Sequence, residues 1–244
     1  MTPSVVRHAI ASAANATSVS VTLDITAGAS VWVAVGAKLT GISQPPSDSL
    51  GNTYTFQGDV ALGETGPEVA VYNVDDALGG SGVTVTADAI EATDLVLQAT
   101  VVNPTDDPSP DTPGLVDATQ SVSPISGTYT PTAPTNELLL FWVCAAVTGG
   151  ATFAAVSPAV LVDQATVSTN TVSLGVLRQS PVSGSNALSV TYAPTSGAVS
   201  GGLVGGILGA PLPPAPTNSP ILRARIRPGT GTHVVSRHLG AGTS

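Results

Sequence analysis

The body of this chain is poor in the groups that most chemistry needs. It has one cysteine, and a lone Cys144 closes no internal disulfide, so the framework of small secreted domains is excluded. Cys144 lies inside an apolar run and reads as a small buried hydrophobe. The three histidines, His8, His233 and His238, all fall in terminal segments, which leaves the middle of the chain without the usual general base. There is no G-x-S-x-G elbow, no H-E-x-x-H helix and no Cys/His metal spacing. The carboxylate pairs Asp75-Asp76 and Asp106-Asp107 are sequence neighbours, which along a strand point to opposite faces and make poor acid–base couples. Charged residues are only 9% of the chain against a usual figure of about 25%, so no long charged amphipathic helix is expected. Aromatics are 4%, too few for a broad sugar-stacking face, and Trp32 and Trp142 both read as core. The expectation is a protein without enzymatic activity and without a cofactor.

What the chain does have is valine, alanine, serine, threonine, 26 glycines and 20 prolines, the makings of many short strands joined by tight turns. The longest unbroken apolar run is Leu138–Val147, within Asn136–Val147, bounded by Pro131 and Pro134 before and Gly149-Gly150 after. It is too short for a bilayer, which needs about 20 residues, and Phe141, Trp142 and Val143 favour a strand apolar on both faces, hence a central one. Val19, Val21, Leu23 and Ile25 alternate with polar residues as a half-buried strand does. Further strands are expected at Val31–Ala37, Thr53–Gln57, Glu68–Val74, Val83–Ala87 and Asp94–Val102. The Pro-rich residues 103–114 read as a surface loop, after which the pattern starts again. Trp142 falls where Trp32 falls, Thr171–Leu177 matches Glu68–Val74, Ala187–Ala193 matches Gly82–Ala87, and Leu203–Leu208 matches Leu95–Val101. The expected fold is all-β, a two-sheet antiparallel jelly-roll-like sandwich over residues 18–210. Its two similar halves, about 18–102 and 115–210, are each expected to contribute to both sheets. Residues 1–17 are expected to be an N-terminal arm. The Gly-rich stretch Ser196–Ala210 reads as a close-packed last strand, and neither a signal peptide nor a membrane span is expected anywhere.

Charge is segregated. All 16 acids lie between Asp24 and Asp163, and residues 1–222 hold only Arg7, Lys38 and Arg178 as cations, a net charge of −13. Residues 211–220 form a Pro-rich linker, about 30 Å long if extended at about 3.1 Å per residue. Residues 221–244 form a basic C-terminal arm with Arg223, Arg225, Arg227 and Arg237 and no acid. Arg223, Arg225 and Arg227 alternate with Ala224 and Ile226, so an added strand would project all three to one side. These four arginines are the candidate partner-binding residues. Asp106, Asp107 and Asp111 have oxygens suited to a hard cation such as Ca²⁺, but they fit no EF-hand spacing. A solvated loop is expected there and no metal is assigned. An acidic body argues against nucleic acid as a partner.

Three motifs carry a resemblance: Asp48-Ser-Leu-Gly-Asn-Thr-Tyr-Thr55, Val69-Ala-Val-Tyr-Asn-Val74 and Gly80-Ser-Gly-Val-Thr-Val-Thr86, with Ala133-Pro-Thr-Asn-Glu-Leu-Leu-Leu140 opening the second half. Together they resemble a β-sandwich module of bacteriophage virion structural proteins and bacterial surface proteins. The resemblance implies a display or attachment module located on the virion surface. It implies other virion proteins of the capsid or tail, or further copies of itself, as partners, and no membrane. A tail or fibre component and a cell-surface adhesion or carbohydrate-binding module are the alternatives.

Overall fold

The computed structural model describes residues 4–38, 42, 44–61, 67–103, 109–111, 124–130, 137–147, 150–168, 172–180, 186–193 and 199–208. The chain divides into two units, Met1–Leu212 and Pro213–Ser244, the second lying outside the described residues. The first unit is all-β and its strands pair antiparallel.

The first half contains β1 (Val5–Ile25), β2 (Ser30–Ala37), β3 (Ser47–Asp48), β4 (Thr55–Ala61), β5 (Glu68–Val74) and β6 (Gly80–Val102). The C-terminal part of β6 lies between β2 and the start of β1, giving the order β1-β6-β2-β5-β4. The N-terminal part of β6 pairs with the end of β1 and with β3. β1 and β6 thus run through two layers, which enclose a core of Val19, Val21, Leu23, Val83 and Val85 against Val31, Val33, Val35, Leu97 and Tyr72.

The second half contains β7 (Ser109–Asp111), β8 (Ile125–Tyr129), β9 (Glu137–Ala146), β10 (Thr152–Ala155), β11 (Val160–Thr166), β12 (Ser173–Gln179), β13 (Asn186–Ala193) and β14 (Val199–Leu208). One layer has the order β11-β12-β9-β14-β7 and the other β10-β13-β8. The first of these repeats the order of the first half, with β9 for β2, β12 for β5, β14 for the end of β6, β11 for β4 and β7 for the start of β1. In the smaller layer β8, β10 and β13 stand for the end of β1, for β3 and for the start of β6. Phe141, Val143, Phe153, Leu177 and Val190 fill its core.

The two halves meet through their larger layers. Side chains alternate across a strand, so β2 sends Trp32 and Ala34 to this junction and Val31, Val33 and Val35 to its own half. β9 likewise sends Leu138, Leu140, Trp142 and Cys144 to the junction and Leu139, Phe141 and Val143 the other way. A strand buried on both faces has no polar alternation to show, which is why Leu138–Val147 is unbroken. Trp32 and Trp142 stack at the centre with ring centroids 5.5 Å apart and planes 22° apart.

Four expectations are corrected. Among the described residues the two-sheet count becomes three hydrogen-bonded sheets, because each half closes its own core and neither contributes a described strand to the other's small layer. The N-terminal arm of residues 1–17 is, from Val5 on, part of β1: Val6, Ala9, Ala11 and Ala13 pack on the first core, and small alanines gave little hydrophobic signal. The strands expected at Val83–Ala87 and Asp94–Val102 are one 23-residue strand, β6. Within the expected loop 103–114, Ser109–Asp111 pairs with β14, and Pro110 is tolerated because β7 is an edge strand.

Candidate functional site

The residue set behind the resemblance is a hydrogen-bonded turn. Asp48 ends β3, and its Oδ1 accepts from the backbone N–H of Leu50 (2.9 Å) and of Asn52 (3.1 Å). Its Oδ2 accepts from Asn52 Nδ2 (2.7 Å) and from the Tyr54 hydroxyl (3.0 Å). Asn52 in turn accepts the Leu78 N–H at 2.7 Å, joining this turn to the one before β6. Gly51 sits between them at φ +80°, where a side chain would be strained. Burial pushes the Asp48 carboxyl up, but the four donors outweigh it and hold the pKa below the ordinary value. Burial and the Asp48 charge raise that of Tyr54. All four partners are consumed inside the turn, so it is a structural staple with no group left over for chemistry.

Other polar clusters are closed in the same way. Asp24 accepts from Ser81 Oγ and the Gly82 N–H, both at 2.8 Å, and these two bonds lower its pKa. Asp75 accepts from Ser30 Oγ (2.8 Å) and Asn73 Nδ2 (3.1 Å), while its neighbour Asp76 occupies a turn at φ +54°. Asp75-Asp76 is therefore a strand-end anchor. His8 Nδ1 lies 2.9 Å from Asp163 Oδ2, bringing β1 and β11 of the two halves together. Ser12, also in β1, donates its hydroxyl to the Thr166 carbonyl of β11 at 3.3 Å, a second tie between the same two strands. Cys144 is buried at the junction, and burial, with Glu68 adding to it, pushes its thiol up to about 12, which keeps it a protonated, inert core group.

Asp106 and Asp107 lie outside the described residues, as do Arg223, Arg225, Arg227 and Arg237. Asp111 is the last residue of β7. Among the described residues no group of three His, Cys, Asp or Glu is placed to hold a metal ion, and no helix is long and apolar enough to cross a membrane. No family model matches the chain, and no curated protein or solved structure matches it.

Proposed function

We propose that the protein is a bacteriophage virion structural protein that decorates or cements the capsid surface through its C-terminal arm, by docking and without chemistry of its own. The observation that carries this reading is the segregation of charge: an acid-rich strand-built body precedes a proline-rich spacer and an acid-free tail with four arginines. The body supports it in kind. Its two stacked sandwiches share an aromatic centre, and its polar clusters are spent on holding turns. The outward residues of β1 and β6 are hydroxyl pairs such as Ser20 with Thr86 (2.8 Å) and Thr22 with Thr84 (3.5 Å). Such a body presents a polar outer face and leaves attachment to the arm, where several weak contacts add through effective concentration on a symmetric shell.

The test uses the full chain and a form lacking residues 221–244, each added to capsids purified without it. The full chain is expected to occupy regular positions visible by electron microscopy, and the shortened one to remain soluble and unbound. Arg223→Ala, Arg225→Ala and Arg227→Ala together should weaken binding, the more so at low salt, where screening is least. Full occupancy by the shortened form would overturn attachment through the arm. A full chain that binds no capsid would overturn the virion reading itself.

A further inference from the structure

β1 is an edge strand, and over Ser18–Ile25 its partner among the described residues is β6 alone. An edge offers unpaired backbone N–H and C=O groups to any passing strand, and proteins blunt it by shortening, bulging, charge or proline. The other described edges are blunted in these ways. β3 and β7 span two and three residues, with Pro110 in β7, while β10 and β8 span four and five. β4 has a register shift between Phe56 and Gly58 and carries the exposed Asp59, and β11 has a shift between Leu161 and Asp163. The start of β1 has a shift between Val5 and Arg7, followed by His8. Ser18–Leu23 has no such guard: its register with β6 is unbroken, and it contains no proline, glycine or charge.

The stretch is also complementary to itself. Val19, Val21, Leu23 and Ile25 face the core, and Ser18, Ser20, Thr22 and Asp24 face solvent. Laid antiparallel on a second copy about a two-fold axis at Val21, Val19 meets Leu23, Ser20 meets Thr22 and Ser18 meets Asp24. Every inward residue then lies opposite an inward one, as the two-residue period requires. The hydroxyl contacts repeat those that β1 makes on its other side, Ser20 with Thr86 and Thr22 with Thr84. No acid meets an acid. The bonds from Ser81 Oγ and the Gly82 N–H both fall on Asp24 Oδ1, which leaves Oδ2 to the Ser18 hydroxyl of the second copy. Residues 1–222 carry a net charge of −13, so two bodies approach best along an uncharged strip, and this strand supplies one.

We infer that Ser18–Asp24 is a self-association edge, at which two copies join antiparallel about Val21 and continue the small layer of the first half from one copy into the other. The contact is isologous, so it closes as a pair and leaves no second edge of the same kind exposed. One strand pair buries little surface, so the contact is weak between free molecules and firm where copies are held side by side. It stands on the edge alone and holds whether or not the C-terminal arm binds a capsid.

The experiment follows the full-length protein by sedimentation equilibrium and by amide hydrogen exchange from about 1 μM to about 1 mM, a range that covers weak contacts. A monomer–dimer equilibrium is expected, with exchange protection within Ser18–Asp24 that rises with concentration. Ser20→Lys with Thr22→Lys, both at exposed positions, places lysine opposite lysine across the axis and should weaken dimerisation at least about tenfold while the melting temperature of the dilute protein holds. Ser20→Glu with Thr22→Glu should do the same. Mixing the two double variants should restore pairing to at least the wild-type level, because lysine then faces glutamate. A wild-type protein that stays monomeric to about 1 mM would overturn the inference. So would protection of Ser18–Asp24 that is complete in the dilute monomer, which would mean that another segment of the same chain covers the edge. Wild-type dimerisation by the lysine variant would place the contact elsewhere, the basic arm included, and failure of the mixture to recover would rule out pairing about Val21.

Discussion

The two halves follow one topology by different means. In the first, β1 and β6 pass from one layer to the other as continuous strands of 21 and 23 residues. The turn is made by register shifts between Ala13 and Ser18, with Asn15 at φ +47° and its N–H held by Asp94 Oδ1 at 2.9 Å. In the second half the described residues of the same path are β7, β8, β13 and β14. The first half also ties its turns with carboxylates, Asp24, Asp48 and Asp75. Among the described residues of the second half, neutral groups serve as well, with Ser173 Oγ accepting the Ala151 N–H (2.8 Å) and Gln164 Oε1 accepting the Phe153 N–H (2.7 Å). What the halves share is the set of inward positions on β2 and β5, repeated on β9 and β12. Topology here is carried by which residues face which core.

The sharpest way to break the comparison is at the tryptophan pair. Trp32 is 2% and Trp142 0% exposed, and each belongs to the equivalent central strand. Trp32→Ala and Trp142→Ala should each cost about 3–5 kcal/mol in chemical denaturation. Mutating both should show a coupling of about 0.5–1.5 kcal/mol from the stacked geometry. A cost confined to one of the two would mean that the junction is not the shared centre of the halves. Ready quenching of either native tryptophan by acrylamide would mean that the layers do not close over it.

Much of this architecture is legible in the residues. Leu138–Val147 shows no polar break because both its faces are covered, and the equivalence of Trp32 with Trp142 follows from their places in two such strands. The same fact hides the layer count: a run apolar on both sides says that it is central without saying how many layers lie beyond. The start of β1 is hard to read because its inward residues are mostly alanine. The last strand is found but misaligned, since the residue opposite Trp142 is Leu203 while that opposite Trp32 is Thr100. Gly-rich β14 offers few large side chains to fix a register. Of the candidate site, the Asp48 motif is visible as a turn.

A second, smaller effect should separate the halves by how they fill their cores. Gly175 in β12 lies under Phe153: an added Cβ would stand 2.7 Å from Phe153 Cδ2 and 3.2 Å from Val143 Cγ2. Gly175→Ala should therefore cost about 1–3 kcal/mol through displacement of the ring. At Gly36 in β2 the nearest atoms are Cys144 Sγ at 3.3 Å and Leu174 Cβ at 3.5 Å, so Gly36→Ala should cost less. Thermal or denaturant melts of the two variants check the order. A reversal would place the tighter packing at the junction instead of inside the second half.

The smallest expected effect concerns the carboxylate staples of the first half. Asp48 has a folded pKa below the ordinary aspartate value, so the folded state binds its proton less readily than the unfolded chain does. Its contribution is fully present above the unfolded pKa, near pH 4, and is lost as pH falls through the depressed folded value. Asp48→Asn keeps one oxygen for the Leu50 and Asn52 N–H groups but turns an amide donor toward Asn52 Nδ2 and the Tyr54 hydroxyl. At pH 7 this should cost about 1–2 kcal/mol. The difference between wild type and variant should then shrink as pH is lowered below about 4, because wild-type Asp48 becomes protonated and loses its charge-assisted bonds as well. Denaturation midpoints measured from pH 7 down to pH 2 would trace this. Asp24, also depressed and untouched by the mutation, should keep some acid sensitivity in the variant. A gap between the two proteins that stays constant through the acid range would mean that Asp48 holds the turn by shape alone and that its charge contributes nothing.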